Sequence, residues 1–492
     1  MFVFSVLLLE AIFARTYGGP GNDYSLAVTP TTDGGFALVG CTYSYGSNGD
    51  ILFIKLTPDG SMSWAKTFGR DSLDWPWSLI QAQDGGYVIA GYTRRYGTGY
   101  DDFLLLKINS TGNLEWAYSY GGQYWGWFFP AIQTQDGGYA IAGEGATPDL
   151  DFVLLKLGSD GSLVWGKSYG GSSTDEARAL IQTQDGGFAI AGATYSFGAG
   201  SYDFLLIKLN SDGSVSWAKT YGGTDWDWPL AVVQEPNGGL VVSGSTMSFT
   251  VGDKDILVIK TRGDGSVEWA RSIGGPSEDM AYSMIRDQSG GYVLAGISNS
   301  DILVLKLAPD GSLLWAKILP GSSTDRGRHI IQAQDGDLAI TGETSSFGAG
   351  GYNFFLLKID QNGNYPGCLQ EWYPTVREIT PLTASPALGQ NYTPTVNALT
   401  LATSVPNLNT TNICAPIELA EGNPASERYI VCSPILGGLL FYAHEDVPLK
   451  IYSSDGRMIY SGKLMAGENI IKLGRGIYFW EADHYKGKAV VN

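Results

Sequence analysis

The chain has 492 residues and a formal net charge of -18, which excludes the basic footprint a nucleic-acid partner needs. Glycine contributes 67 residues without a collagen period, aromatic residues 12% and charged residues only 16%. That balance suits many short strands joined by glycine turns and leaves little material for long amphipathic helices.

Residues 1–14, Met-Phe-Val-Phe-Ser-Val-Leu-Leu-Leu-Glu-Ala-Ile-Phe-Ala, read as the hydrophobic part of a signal peptide ending at Ala14, although a basic start is missing and Glu10 interrupts the run. No other stretch has the apolar length of a membrane span, so a mature chain without a transmembrane segment is expected.

From residue 15 one phrase recurs. Leu180-Ile-Gln-Thr-Gln-Asp-Gly-Gly-Phe-Ala-Ile-Ala-Gly192 holds two alternating apolar runs around Asp185-Gly186-Gly187. Asp33, Asp84, Asp136, Asp185, Asn237, Ser289 and Asp335 occupy the equivalent position, at steps of 51, 52, 49, 52, 52 and 46 residues. A period of this length signals a repeat architecture. Each unit has four strand-length pieces bounded by turn residues, with the first two and the last two joined by hairpin-like turns. A four-stranded sheet is marginal alone and gains burial by stacking face to face on its neighbours.

Seven units therefore predict an all-β fold, a seven-bladed β-propeller over residues 15–365. A linear solenoid is the alternative, and the phase of the pieces argues against it. Phe13-Ala-Arg-Thr-Tyr-Gly-Gly19 matches a fourth strand, whereas the seventh unit lacks one after Asn364. The N-terminal strand can complete the last blade and remove the exposed sheet edges. One tryptophan per unit (Trp64, Trp116, Trp165, Trp217, Trp269, Trp315) is expected between blades. The repeated lysines, such as Lys55, Lys107 and Lys208, are expected to face outward or to snorkel between blades.

Residues 366–428 are rich in Thr, Pro and Asn and read as a linker whose extended segments can pack on the propeller. Residues 429–492 return to short strands and turns, a small β-sandwich.

Loops joining fourth to first and second to third strands should open on one face, opposite the Asp-Gly-Gly turns. That face gathers Asp74-Trp75-Pro76-Trp77, Trp125 and Trp127, and Asp225-Trp226-Asp227-Trp228. Aromatic rings beside carboxylates can stack on sugar rings while the acids bond hydroxyls; the competing reading packs one tryptophan of each pair against a blade or in the channel. Arg178, Arg326, Arg328 and His329 form the basic cluster of this face, and Arg328 completes the candidate ligand set. Asp50, Asp102, Asp151, Asp203, Asp255 and Asp301 open the third strands, with Asp175, Asp225, Asp279 and Asp325 in the preceding loops. They are expected to accept backbone N–H bonds at loop-to-strand junctions, with Ca²⁺ as the one candidate cofactor. His329, His444 and His484 are too scattered for a zinc site. No serine elbow, phosphate loop or dinucleotide fingerprint stands in its required context, and no catalytic residue is assigned. Cys41 reads as buried and free; a disulfide is open to Cys368, Cys414 and Cys432 in an oxidising compartment.

Residues 11–365, with Asp-Gly-Gly-Tyr and Asp-x-Leu-Leu-x-Lys phrases, resemble the secreted bacterial and archaeal Asp-Gly-Gly-Tyr repeat propellers, which imply no single activity. Leu449-Lys-Ile-Tyr-Ser-Ser-Asp-Gly-Arg457, Gly467-Glu-Asn-Ile-Ile-Lys-Leu473 and Gly476-Ile-Tyr-Phe479 resemble the sorting domain of the type IX secretion system. That resemblance implies transit through the periplasm, the outer-membrane secretion machinery as a partner, and release or surface attachment. The leading expectation is a secreted or cell-surface propeller that binds or scaffolds a polysaccharide or surface protein. The alternative is a polysaccharide-active hydrolase or lyase with an acidic, Trp-lined site.

Overall fold

The computed structural model describes residues 12–412 except 47, 71, 95–100, 122–129, 148, 366, 387, 389, 392–394, 399–401, 405 and 407; beyond these it describes Arg457 and the strands between Ile430 and Val491. Residues 1–11, Trp125, Trp127, Cys414, His444 and His484 lie outside the described residues. No helix among the described residues is long and apolar enough to cross a membrane.

The repeats form the seven predicted blades, each with four antiparallel strands, here A (innermost) to D. Blade 4 shows the pattern: Asp175–Gln182, Phe188–Thr194, Asp203–Leu209 and Val215–Gly222. Blade 7 takes its D strand from Phe13–Gly18, which pairs with Asn353–Ile359 and closes the ring. This strand includes buried Phe13 and Ala14, two residues that a boundary after Ala14 would leave with the leader.

The Asp-Gly-Gly phrase has a physical explanation at each position. Gly186 sits at φ +79°, in the left-handed region that a side chain disfavours. A Cβ on Gly187 would collide with the Leu209 carbonyl and crowd the Lys208 ammonium at 2.9 Å. Asp185 accepts the Gly187 N–H at 3.0 Å and pairs with Lys208 at 2.8 Å. The repeated lysines are thus buried rather than outward: Lys55 pairs with Asp33, Lys107 with Asp84, Lys156 with Asp136 and Lys358 with Asp335. Each C strand delivers its ammonium back to the A–B turn of its own blade. Burial pushes the Asp185 carboxyl up, but Lys208, the Thr183 hydroxyl and the Gly187 N–H outweigh it and hold it at about 2. Where the turn has Asn237 or Ser289, the carboxylate moves two residues earlier: Lys260 pairs with Glu235 and Lys306 with Asp287.

Blades are keyed together by the tryptophan series. The ring of Trp165 lies under the C–D turn of the next blade, where a Cβ on Gly213 would come within 2.8 Å of it. Gly112 covers Trp64, Gly161 covers Trp116, Gly265 covers Trp217, and Gly363 covers Trp315 in the same way. Phe13 takes the tryptophan position of blade 7, under Gly60. The D-strand tyrosines add a hydrogen bond to the same turns: Tyr169 donates to the Gly213 carbonyl at 2.7 Å and Tyr17 to Gly60 at 2.6 Å.

The Thr/Pro/Asn-rich segment supplies more than a connection. Its short strands add a fifth, outermost strand to every blade. Gln370–Glu371 joins blade 6, Thr375–Glu378 blade 5, Leu382–Ala384 blade 4, and Gln390–Asn391 blade 3. Thr395–Ala398 then joins blade 2, Ala402–Ser404 blade 1, and Asn409–Asn412 the N-terminal strand of blade 7. The chain makes one circuit of the propeller against the order in which the blades were built. This belt covers the outer edges that ring closure leaves. Arg377 fastens it to blade 5, donating to the Phe249 carbonyl, Ser272 Oγ and Asp255 Oδ2.

The second compact unit comprises Asn364–Gln370 and Asn412–Asn492. Its C-terminal part has a three-stranded and a four-stranded antiparallel sheet, with Leu449 and Ile451 buried. Cys368 is disulfide-bonded, and Cys41 is a buried free thiol.

Candidate functional site

Asp175 and Asp203, which open strands A and C of blade 4, both pair with Thr194 or its neighbours at the end of strand B. The D–A and B–C loops therefore share one face, opposite the Asp-Gly-Gly turns. On this face the inner strands of blades 2, 4, 5, 6 and 7 alternate, with the second and fourth residues half-exposed while the first and third are buried; in blade 1 the fourth, Leu26, is buried. A strand's alternate residues share a side, so these positions lie together on one side of each inner strand, the strand nearest the propeller axis.

A bulge follows in every inner strand whose start is described, for example between Ala177 and Ala179 and between Gly327 and His329. Bulges re-aim a side chain. Two tiers result around the axis. The outer tier comprises Tyr24, Trp75, Glu176, Trp228, Met280 and Arg326; the bulge tier comprises Leu26, Trp77, Arg178, Leu230, Tyr282 and Arg328.

Sequence-predicted residues separate on this frame. Trp75, Trp77 and Trp228 are half-buried members of the tiers; Trp75 and Trp77 also pack against the core between blades 2 and 3. Trp226 stands in the D–A loop and is 38% exposed. It meets Trp228 edge-on at 4.9 Å and Tyr202 at 5.3 Å, and Tyr195, 53% exposed, extends the cluster. A second run lies nearer blades 7, 1 and 2, where Tyr24 touches Trp75 at 5.6 Å and Tyr352 at 5.2 Å.

The aspartates divide too. Asp74 opens strand A of blade 2 and is closed to solvent. Burial pushes its carboxyl up to about 6 against the pull of the Thr93 hydroxyl. Asp225 does not share the position of Asp175, Asp279 and Asp325; the equivalent residue is Asp227, which is buried and accepts Gly223 N–H and Ser248 Oγ at 2.8 Å each. Asp225 is an exposed loop residue bonded to the Trp226 N–H at 2.9 Å. Asp175 likewise accepts Gly171 N–H and Ser196 Oγ at 2.8 Å, tying the two loops of its blade. Asp203 accepts the Ala199 N–H at 2.6 Å. Among the described residues no group of three or more metal-ligating side chains is gathered to hold an ion.

The basic cluster splits in two. Arg178 pairs with Glu176 on blade 4. Arg328 binds Glu343 with Nε at 2.9 and 3.0 Å from the two oxygens and Nη2 at 2.6 Å, and its guanidinium lies 4.5 Å from the Tyr282 ring centre. Burial alone would lower the Arg328 pKa; Glu343 overrides it and raises it. Arg326 reaches Glu343 only at 3.4 Å. His329 turns to blade 1, where Nδ1 faces the Val28 backbone, and burial lowers its pKa to about 4, so it is neutral.

Sequence reasoning missed Glu343, only 1% exposed at its side chain, and buried Glu144. Both replace small or apolar residues in strand B, and this break in the repeat was the available signal. It also missed Tyr24 and Tyr282 on inner strands, and Tyr202 and Tyr352, which share the position just before strand C.

The family model described as "Domain of unknown function (DUF5122) beta-propeller" matches residues 184–215, from the A–B turn of blade 4 to the start of its D strand. The match is to a propeller repeat. No curated protein matches the chain. Among solved structures, the polysaccharide lyase Uly1 is 12% identical over 69% of this chain and 90% of that one, with a TM-score of 0.44. Sqt1 from Chaetomium thermophilum is 13% identical over 74% and 90%, with a TM-score of 0.43. PorZ of Porphyromonas gingivalis, described as a surface component of the type-IX secretion system, is 10% identical over 97% and 75%, with a TM-score of 0.33. No functional conclusion follows from likenesses this distant.

Proposed function

We propose that the chain is a carbohydrate-binding propeller, exported to the cell surface or the medium, whose ligand lies across the loop face. The observation that carries this reading is the cluster of Trp226, Trp228, Tyr202 and Tyr195 on the loop face at blades 4 and 5. Its exposed rings offer flat apolar area to sugar faces, and neighbouring polar groups can bond hydroxyls. Binding is favoured over acid–base catalysis because the buried and half-buried carboxylates nearby are committed: Glu343 to Arg328, Glu176 to Arg178, and Asp227 to loop hydroxyl and backbone donors, while exposed Asp225 can bond a sugar hydroxyl. Export rests on the N-terminal apolar run and the tail's likeness to a sorting domain, and is checked by fractionating a host that expresses the full chain.

Titrating the full chain with neutral and acidic oligosaccharides while following tryptophan fluorescence tests the ligand class. A saturable change that Trp226→Ala removes is expected. If no glycan perturbs the spectrum while a small quencher still reaches Trp226, the reading fails.

A further inference from the structure

Of the outer-tier side chains described around the axis, Arg326 is the one cation. Its charge is poorly answered. Two guanidiniums share one carboxylate, and Arg328 takes both oxygens of Glu343 in a short, forked contact. Arg326 is left with one carboxylate contact, at 3.4 Å, and a side chain 30% exposed. Glu176, the anion of the same tier, is engaged by Arg178. The trio of Arg326, Arg328 and Glu343 therefore carries one positive charge in excess.

That charge stands at the end of a row of aromatic rings. Tyr352 interacts with Arg326 and helps to keep it protonated; the Tyr352 ring lies 5.2 Å from Tyr24, which lies 5.6 Å from Trp75. A chain with a net charge of -18 repels anions at long range. A half-exposed arginine on it is useful toward an anion that arrives on a body able to stack. We infer that this part of the mouth takes a carboxylate-bearing sugar, a uronate unit of an acidic polysaccharide, with Arg326 on its carboxylate and Tyr24 and Trp75 against its ring. The guanidinium fork takes a planar carboxylate in a bidentate contact, and the sulfated arm of the test separates it from a tetrahedral ester. The inference rests on the glycan-binding reading and narrows it to an acidic class.

The test is calorimetry on the full chain with an oligogalacturonate, a neutral oligosaccharide of the same length and a sulfated one, each at low and high salt. The oligogalacturonate should bind at least about tenfold more tightly than the neutral oligomer, and the advantage should shrink at high salt. Arg326→Gln should erase the advantage while neutral binding stays; Arg326→Lys, which keeps the charge without the fork, should recover only part of it. Because Arg328 still holds Glu343 in both variants, unchanged melting curves are expected and serve as the folding control. Equal binding of acidic and neutral oligomers, unchanged in Arg326→Gln, overturns this inference and leaves the glycan reading standing. A sulfated oligomer that binds as well as the uronate overturns the carboxylate assignment. Failure of every oligosaccharide to bind removes both readings.

Discussion

Three glycine-to-alanine substitutions in blade 4 separate the backbone requirement of a turn from the contact that keys one blade to the next. Gly186 and Gly213 have nearly the same left-handed φ, +79° and +75°, so alanine costs each about 1–2 kcal/mol in backbone strain. A Cβ on Gly186 meets nothing nearer than Gln135 Oε1 at 4.0 Å, whereas one on Gly213 falls 2.8 Å from the Trp165 ring. Relieving that overlap moves the turn and stretches the Tyr169 hydroxyl bond to the Gly213 carbonyl, for about 1–3 kcal/mol more. Gly187 needs no left-handed backbone, but its Cβ would press on the Leu209 carbonyl, and only main-chain movement relieves that; a loss above about 4 kcal/mol is expected. Urea unfolding followed by tryptophan fluorescence should rank the midpoints as wild type, Gly186→Ala, Gly213→Ala, Gly187→Ala, from most to least stable. Equal midpoints for Gly186→Ala and Gly213→Ala would refute the seating of Trp165 under the neighbouring turn.

Other outcomes follow from the same structure. Burial raises the Asp203 carboxyl to about 6, so its contribution to stability is complete below about pH 4 and is lost as pH rises through about 6. Asp203→Asn, the residue blade 7 already uses as Asn353, should flatten the melting temperature between pH 4 and 6, and a curve parallel to wild type would contradict the assigned burial. Phe13→Ala should cost about 3–5 kcal/mol, because Phe13 replaces the tryptophan that keys the closing blade; a wild-type midpoint would show that the strand does not close the ring. Arg377→Ala strips the belt of its contacts to Asp255, Ser272 and the Phe249 carbonyl and should destabilise by about 1–3 kcal/mol, read as faster proteolysis within residues 370–384. Cys41 should resist alkylation in the native chain and react after denaturation, being wholly buried with its thiol pKa raised by burial; rapid native labelling would contradict its position.

Blade number and ring closure were legible because each blade repeats the same period and the first strand has the wrong phase to begin one. That linker segments pack on the propeller was legible, but their pairing with every blade was not, since strands of two to four residues rich in Thr, Pro and Asn carry no alternation and take their register from blades distant in sequence. The lysine–aspartate pairs were visible as two repeated residues, but their meeting depends on the A–B turn folding back beside strand C, which periodicity does not reveal. At the site, Trp226 and Trp228 were readable as departures from the one-tryptophan series. Glu343 was hidden inside an apolar strand, and Asp225 was mistaken for Asp227 because the acids lie two residues apart on either side of Trp226. The bulge that places Arg178, Tyr282 and Arg328 in their tier leaves no mark in the residue pattern.

The most direct test of the central claim is a crystal structure of the full chain soaked with an acidic oligosaccharide. Density for a sugar on the loop face, with rings against Trp226, Trp228 and Tyr202, and for a uronate with its ring against Tyr24 and Trp75 and its carboxylate at Arg326, is the predicted result. A sugar seated on the face of the Asp-Gly-Gly turns, or no sugar under conditions where calorimetry shows saturation, would contradict it.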